Sequence, residues 1–126
     1  MNELTKAEEQ VMQQLWKLEH AFVKEIIAEM PDPKPAYNTV STIVRILEKK
    51  GFVGHQAFGK THRYYPKVTK KVYTKGFMNG FLKNYFSNSM KNLVSFFAKD
   101  ESLSIKEMEE LKQMLENEIE RKRSAK

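Results

Sequence analysis

No cysteine occurs anywhere in the 126 residues, which removes disulfides, thiolate nucleophiles and every zinc or copper site that depends on sulfur. The same lack fits a reducing compartment. No run approaches the roughly 18 to 20 apolar residues needed to cross a bilayer, so direct membrane insertion is not expected. Met1 to Gln10 is polar and carries three acids, unlike the basic and then apolar start of a secretory signal. The cytoplasm is the expected location. Catalytic signatures are missing as well: there is no nucleophile elbow, phosphate loop or metal-binding helix motif. Glu107, Glu109, Glu110, Glu116, Glu118 and Glu120 crowd one stretch. Solvation and i to i+4 pairing with Lys112 or Lys122 account for them better than acid–base chemistry. An enzyme is not expected, nor a cofactor or a bound metal.

What is present in abundance is positive charge, and it is unevenly placed. The net charge is +6; residues 1 to 32 hold three basic and seven acidic side chains, residues 33 to 72 nine and one, and residues 73 to 126 ten and eight. Basic residues concentrated in one segment create a local field that attracts polyanions, of which a phosphate backbone is the commonest. A solvated basic face is the plain alternative, so the surrounding organisation decides. The length suits one compact domain plus a helical appendage.

Thr5 with Glu8 three positions on is a capping box, and Ala7, Val11, Leu15 and Leu18 follow on one helical face, predicting a helix over about Thr5 to Leu18. Val23, Ile26, Ile27 and Met30 predict a second, short helix, stopped by Pro31, Pro33 and Pro35. From near Tyr37, Val40, Ile43, Val44 and Leu47 repeat at helical spacing until Gly51. Phe52 to Phe58 and Thr61 to Tyr65 are β-prone, joined by Gly59 and Lys60 and ended by Pro66, a hairpin pattern. Three short helices and a hairpin describe a winged helix-turn-helix. The expected class is therefore mostly α with a small β hairpin, a winged helix over 1–72 and a helical dimerisation region over 73–126.

With its apolar side turned inward, the third helix presents Asn38, Thr39, Ser41, Thr42 and Arg45, with Lys49 a turn later. Short polar side chains let a helix approach base edges, and its first amides can meet a phosphate. Surface helices usually prefer Glu, Lys and Gln, because Asn, Thr and Ser lower helix propensity. We read Asn38, Thr39, Ser41, Thr42 and Arg45 as base-reading candidates. Tyr37, Lys49, Lys60, His62 and Arg63 are the phosphate candidates, with Lys67, Lys70 and Lys71 just beyond. His55 and His62 lack acidic or thiol companions in the sequence, so a neutral strand role is favoured over metal ligation.

Beyond the hairpin, Thr69 can cap a helix in which Tyr73, Phe77, Phe81 and Tyr85 recur, with Met78, Leu82 and Phe86 broadening the apolar face. Leu93, Val94, Phe96 and Phe97 form a second apolar run, and Ser104 with Glu107 opens a last helix carrying Met108, Leu111, Leu115 and Ile119. Three such helices do not bury this much apolar surface alone, and pairing with a second copy is the simplest solution. A ligand pocket lined by the aromatic stripe is the lesser alternative.

Three segments resemble the BlaI/MecI penicillinase-repressor family. The run from Tyr37 through Asn-Thr-Val-Ser-Thr-Ile-Val-Arg-Ile-Leu-Glu-Lys-Lys-Gly-Phe to Val53 is similar to the family's Thr-Ile/Val-x-Thr-Leu and Leu-x-Lys-Lys-Gly pattern. Leu4 to Trp16 resembles its first helix, and Leu103 to Leu111 its Leu-Ser-x-x-Glu-x-x-Glu-Leu. The resemblance implies a homodimeric repressor on double-stranded, palindromic operator DNA, with Asn38, Thr39, Ser41 and Thr42 at operator-contacting positions. Related repressors often have a basic residue at the positions of Asn38 or Ser41, and this chain has neither. The resemblance further implies release by a membrane sensor-protease that cuts the dimer region. The place matching the family's Asn-Phe bond is Phe96-Phe97. The copper-responsive branch uses a cysteine-rich tail that this chain lacks. The rival reading is a winged-helix module that binds nucleic acid without sequence preference, or an acidic protein partner.

Overall fold

A computed structural model describes residues 3–125. In chain order it contains α1 (Lys6–Leu18), β1 (Ala21–Phe22), α2 (Val23–Glu29), α3 (Tyr37–Lys49), β2 (Val53–Phe58), β3 (Thr61–Pro66), α4 (Lys70–Phe86), α5 (Met90–Lys99) and α6 (Ile105–Ser124). The chain divides into two units, one ending at Met78 and one beginning at Asn79, so α4 contributes to both. The element order is that of a winged helix followed by a helical region, as expected.

The capping box that starts α1 is formed: Glu8 N–H donates to Thr5 Oγ1 at 3.2 Å, and Thr5 N–H donates to Glu8 Oε1 at 2.9 Å. Val11, Met12 and Leu15 are fully buried, but Ala7, expected on the same face, is exposed. The inward stripe runs instead through Leu4, Glu8, Val11, Met12 and Leu15. Glu8 is on it because its carboxylate both closes the cap and accepts from Lys50 Nζ, 2.8 Å from each oxygen. The α2 residues Val23 and Ile26 and the α3 residues Val40, Val44 and Leu47 complete the helical part of the core.

The sheet is larger than the expected hairpin. Ala21–Phe22 adds a third antiparallel strand in the order β1-β3-β2, with Ala21 opposite Tyr64 and Phe22 opposite Arg63. Two residues between helices are too short to show any alternation. Ala21 is completely buried and Tyr64 nearly so, and that contact pins the hairpin to the helices. β2 pairs with β3 from Val53↔Pro66 to Phe58↔Thr61, which leaves Gly59 and Lys60 as a two-residue turn. Gly59 has φ 62, as expected for a tight hairpin with glycine at the first turn position.

Tyr73, in the first turn of α4, belongs to the core of the first unit rather than to a separate helical region. Its ring lies 5.8 Å from Trp16 and 5.9 Å from Phe52, and its hydroxyl accepts from Leu4 N–H at 3.1 Å. Trp16 Nε1 donates to Val68 O at 2.9 Å, fixing the approach to that helix.

In the second unit, Ser89 caps α5 and Ser104 with Glu107 forms the capping box of α6. Phe81 touches Tyr85 and Phe86, and Phe86 meets Phe96 edge-on at 5.7 Å. Among the described residues from Asn79 onward no side chain is fully buried. Tyr85, Phe96, Phe97, Leu111, Met114, Leu115 and Ile119 are all exposed. Among the described residues, no helix is long and apolar enough to cross a membrane.

Candidate nucleic-acid interface

The segment between α2 and α3 holds three prolines, which cannot continue a helix. Lys34 Nζ donates to Ala28 O at 3.2 Å and to Met30 O at 2.6 Å, closing the C-terminal end of α2 with a cation. α3 then starts after Ala36, which has no side-chain oxygen with which to cap it. This contrasts with α1, α4, α5 and α6, which begin on Thr5, Thr69, Ser89 and Ser104. Its first amide groups are left to solvent or to an anion.

Along α3 the inward and outward faces separate as the spacing predicts. Val40, Val44 and Leu47 are buried and Ile43 is half-buried. Tyr37, Asn38, Thr39, Thr42, Arg45 and Lys49 are exposed, with Ser41 half-buried. Two of these side chains are turned back onto the helix: Thr42 Oγ1 donates to Asn38 O at 2.9 Å, and Arg45 Nε donates to Ser41 O at 3.2 Å. Only Nε of the guanidinium is used there. The terminal fork, which is the part that pairs bidentately with guanine, is not needed for that bond.

Lys60 sits exposed at the tip of the hairpin and His62 follows on β3. Together with Tyr64 they face Tyr37, Ser41 and Arg45 of α3 across a cleft of about 520 Å³. The structure thus brings the start of the third helix and part of the hairpin to one concave surface. Asn38, Thr39, Thr42 and Lys49 stand on the exposed face of α3 outside that cleft. Arg63 does not join it, because alternation along β3 puts it on the opposite face. There its Nη2 donates to Gln56 Oε1 at 3.0 Å, and its guanidinium lies 4.8 Å from the centre of the Phe58 ring. Phe58 in turn meets Phe22 edge-on at 5.7 Å. This arrangement braces the hairpin against the start of α2. Burial and the Glu48 carboxylate push the Tyr64 hydroxyl above its ordinary pKa, with Arg45 acting the other way, so it remains a neutral donor in the cleft.

Two features of the site were not read from the sequence. His55 has an acidic companion after all: its Nδ1 contacts Glu48 Oε2 on α3. The His55 and His62 rings also stack, with centroids 4.0 Å apart and an interplanar angle of 8°. The signal was available in the hairpin register, since a two-residue turn at Gly59 and Lys60 makes residues 55 and 62 diagonal neighbours on one face. Among the described residues, no group of three or more His, Asp or Glu is arranged to hold a metal ion.

Comparison with known proteins agrees with this architecture. The family described as penicillinase repressor matches residues 4–117. The chain is similar to the penicillinase repressor of Bacillus licheniformis, 28% identical over 122 residues covering 96% of this chain and 95% of that protein. It is also similar to the methicillin resistance regulatory protein MecI of Staphylococcus aureus strain N315, 29% identical over 114 residues, 90% of this chain and 93% of that one. The MecI protein of Mammaliicoccus sciuri is 28% identical over the same length. With the match running through both the winged helix and most of the helical region, the chain belongs to the penicillinase repressor family, whose members are transcriptional repressors and not enzymes.

Proposed function

We propose that this chain represses as a homodimer bound to a palindromic operator, with α3 in the major groove and the hairpin tip on neighbouring phosphates. The observation that carries this reading is the outward face of α3: small polar side chains and one arginine, uncapped at its start, beside a cleft that also receives Lys60 and His62. Thirteen helical residues span about 20 Å, more than the groove's width of about 12 Å. In this reading Thr42 and Arg45 exchange their backbone acceptors for base edges, and Asn38, Thr39 and Ser41 complete the direct readout. Tyr37, Lys49 and Lys60 bind phosphate and fix the register, with Arg63 holding the hairpin in place as well as adding charge.

The helices from α4 onward supply the two-fold. Phe77, Phe81, Tyr85, Leu93, Phe96, Phe97, Met108, Leu111 and Leu115 are exposed or half-buried in one chain, and a second copy covers them. The symmetry then sets two recognition helices about 34 Å apart, one turn of DNA. Release follows when a membrane sensor-protease cuts α5 at Phe96-Phe97, because separate heads lose the effective concentration of a linked pair. Both phenylalanines lie inside a helical turn, so that turn must open before a protease can bind it as an extended strand. The protein works in the cytoplasm, where its DNA is.

A mobility-shift titration on DNA upstream of its own gene, with scrambled duplex as competitor, tests the central part. Thr42→Ala should relax the preference for operator over scrambled DNA by about 1 to 3 kcal/mol. Lys60→Ala should weaken both alike and reduce the salt slope by about 1. Equal displacement by scrambled DNA contradicts specific readout and leaves a non-specific binder or a module for an acidic protein partner.

A further inference from the structure

Tyr64 stands in the central strand, opposite Ala21 on one side and His55 on the other, and is only 4% exposed. The His55 and His62 rings flank it, with centroids 5.9 and 6.2 Å from its own. The ring therefore belongs to the core and its direction is fixed. The hydroxyl is not used by the core: among the described residues it has no hydrogen-bond partner, unlike that of Tyr73, which accepts from Leu4 N–H. Among the described residues no sealed side-chain oxygen or nitrogen is left unpaired, so the Tyr64 hydroxyl is reached through the cleft that the residue lines. Packing alone asks for phenylalanine here, because a hydroxyl taken out of bulk water without a partner costs free energy. Lys24 of α2 and Lys60 at the hairpin tip line the same cleft, and neither is paired with a carboxylate among the described residues. The carboxylate in the lining, Glu25, is engaged by the Phe22 amide, which donates to its Oε1 at 2.8 Å. A fixed neutral donor set among free cations suits an anion with several acceptor oxygens.

We propose that this cleft holds one phosphate of the DNA backbone, with the Tyr64 hydroxyl donating to it and Lys24 and Lys60 supplying its counter-charge. The inference rests on the reading of α3 and the hairpin as the DNA-binding surface, and deepens it by adding Tyr64 and Lys24 to the contacts. A free inorganic anion satisfies the same charges, but Tyr37 and Ser41 carry the cleft onto the outward face of α3, which favours a phosphate tethered to the duplex. Arg45 stays on the base side, its Nε bound to Ser41 O and its fork kept for a base edge. The DNA strand is then gripped between α2 and the hairpin, and the phosphate sets the depth and register of α3 without reading sequence. Because the tyrosine ring is already held by the core, little freedom is lost when its hydroxyl binds.

The test compares wild type, Tyr64→Phe and Lys24→Gln as full-length proteins, on a duplex from upstream of the protein's own gene and on a scrambled duplex. Tyr64→Phe should melt at the wild-type temperature or slightly above it, because the fold gives the hydroxyl no partner. It should nonetheless weaken binding to both duplexes by about tenfold per protomer, the loss of one hydrogen bond to a charged acceptor. Its salt slope should be unchanged, since no charge is removed, whereas Lys24→Gln should lower the slope by about 0.9. Replacing single phosphates of the upstream duplex by neutral methylphosphonates locates the contact. At one position per half-site the replacement should cost wild type affinity and cost Tyr64→Phe much less, a coupling that independent effects lack. Wild-type affinity in Tyr64→Phe, or a loss that adds fully to every methylphosphonate, overturns the proposal. In the first case, inorganic phosphate that raises the melting temperature of wild type and not of Tyr64→Phe assigns the cleft to a free anion instead. Weaker binding together with a lowered melting temperature in Tyr64→Phe also overturns it, since the hydroxyl then serves the fold. Where wild type shows no preference for the upstream duplex, the operator reading fails; the affinity and salt slope of Tyr64→Phe on scrambled duplex still decide the phosphate contact.

Discussion

A single buried carboxylate shows how much one residue can couple. Glu8 is 5% exposed, caps its own helix, and meets Lys50 from 42 positions away. Burial acts to raise its pKa, but the hydrogen bonds from Lys50 and from the Thr5 amide outweigh that and hold it below its ordinary value. Because the folded value is the lower one, this contribution to stability is complete above the ordinary value of 4.5 and is lost as pH falls through the lowered folded value. Lys50→Met should therefore destabilise by about 2 kcal/mol at neutral pH, measured by urea unfolding. That is less than the roughly 3 to 5 kcal/mol for breaking a fully buried pair, because the Lys50 side chain keeps 29% of its exposure. The difference from wild type should shrink as pH drops below 4.5, where the wild type loses the same ion pair; a difference that stays constant down to strong acid contradicts the assignment. The cap role of Glu8 was legible in the sequence as a spacing of three. Its burial and its lysine were not, because nothing local announces a partner so far along the chain. Ala7 was misplaced for the same reason: the periodicity of α1 fits two neighbouring faces, and the long-range pair selects one.

Among the elements, those with a strong period were readable and the one without was not. The helices announced themselves by caps and apolar spacing, down to Thr5, Thr69 and Ser104 or the prolines after α2, whereas the Ser89 cap of α5 emerged only in the structure. The strand Ala21–Phe22 had no pattern to read and exists because β3 offers it an edge and the core a place for Ala21. The outward face of α3 was legible because its composition departs from that of an ordinary surface helix. The cleft it shares with the hairpin was not, since it depends on how the sheet is held. The hairpin gives a direct check on that hold. Phe58→Ala removes the ring that both Phe22 and Arg63 contact. It should lower affinity for specific and random DNA alike, by about 1 kcal/mol on the scale of one aromatic pair, with little change in thermal stability. A loss confined to one operator position in a mobility-shift series contradicts a bracing role. α4 offers another check: Gly76 and Gly80 lie in mid-helix with nothing within 4 Å of where a Cβ would stand. Each change to alanine should stabilise the helix by up to about 1 kcal/mol by propensity. If melting shows destabilisation instead, a second chain approaches that face closely.

For the whole molecule, the contrast between the two units sets the expectation. The first unit has a closed core from Leu4 to Tyr73, whereas among described residues the second has no fully buried side chain and a wide apolar surface. An apolar surface of this kind left bare on a protein is costly to keep in water, and a two-fold dimer hides it in both copies at once. Leu111→Asp with Leu115→Asp should convert the protein to monomers in analytical ultracentrifugation. Operator affinity should fall by 10-fold or more, since each head then binds on its own (about 10²- to 10⁴-fold for linked sites), while the melting of the winged helix should change little. The most direct test of the central claim remains the competition mobility shift on DNA upstream of the protein's own gene, at physiological salt, with wild type, Thr42→Ala and Lys60→Ala side by side. Specific readout by α3 predicts a complex that survives a large excess of scrambled duplex, becomes less selective with Thr42→Ala and is evenly weakened by Lys60→Ala. A complex that scrambled duplex removes as readily as unlabelled operator contradicts it.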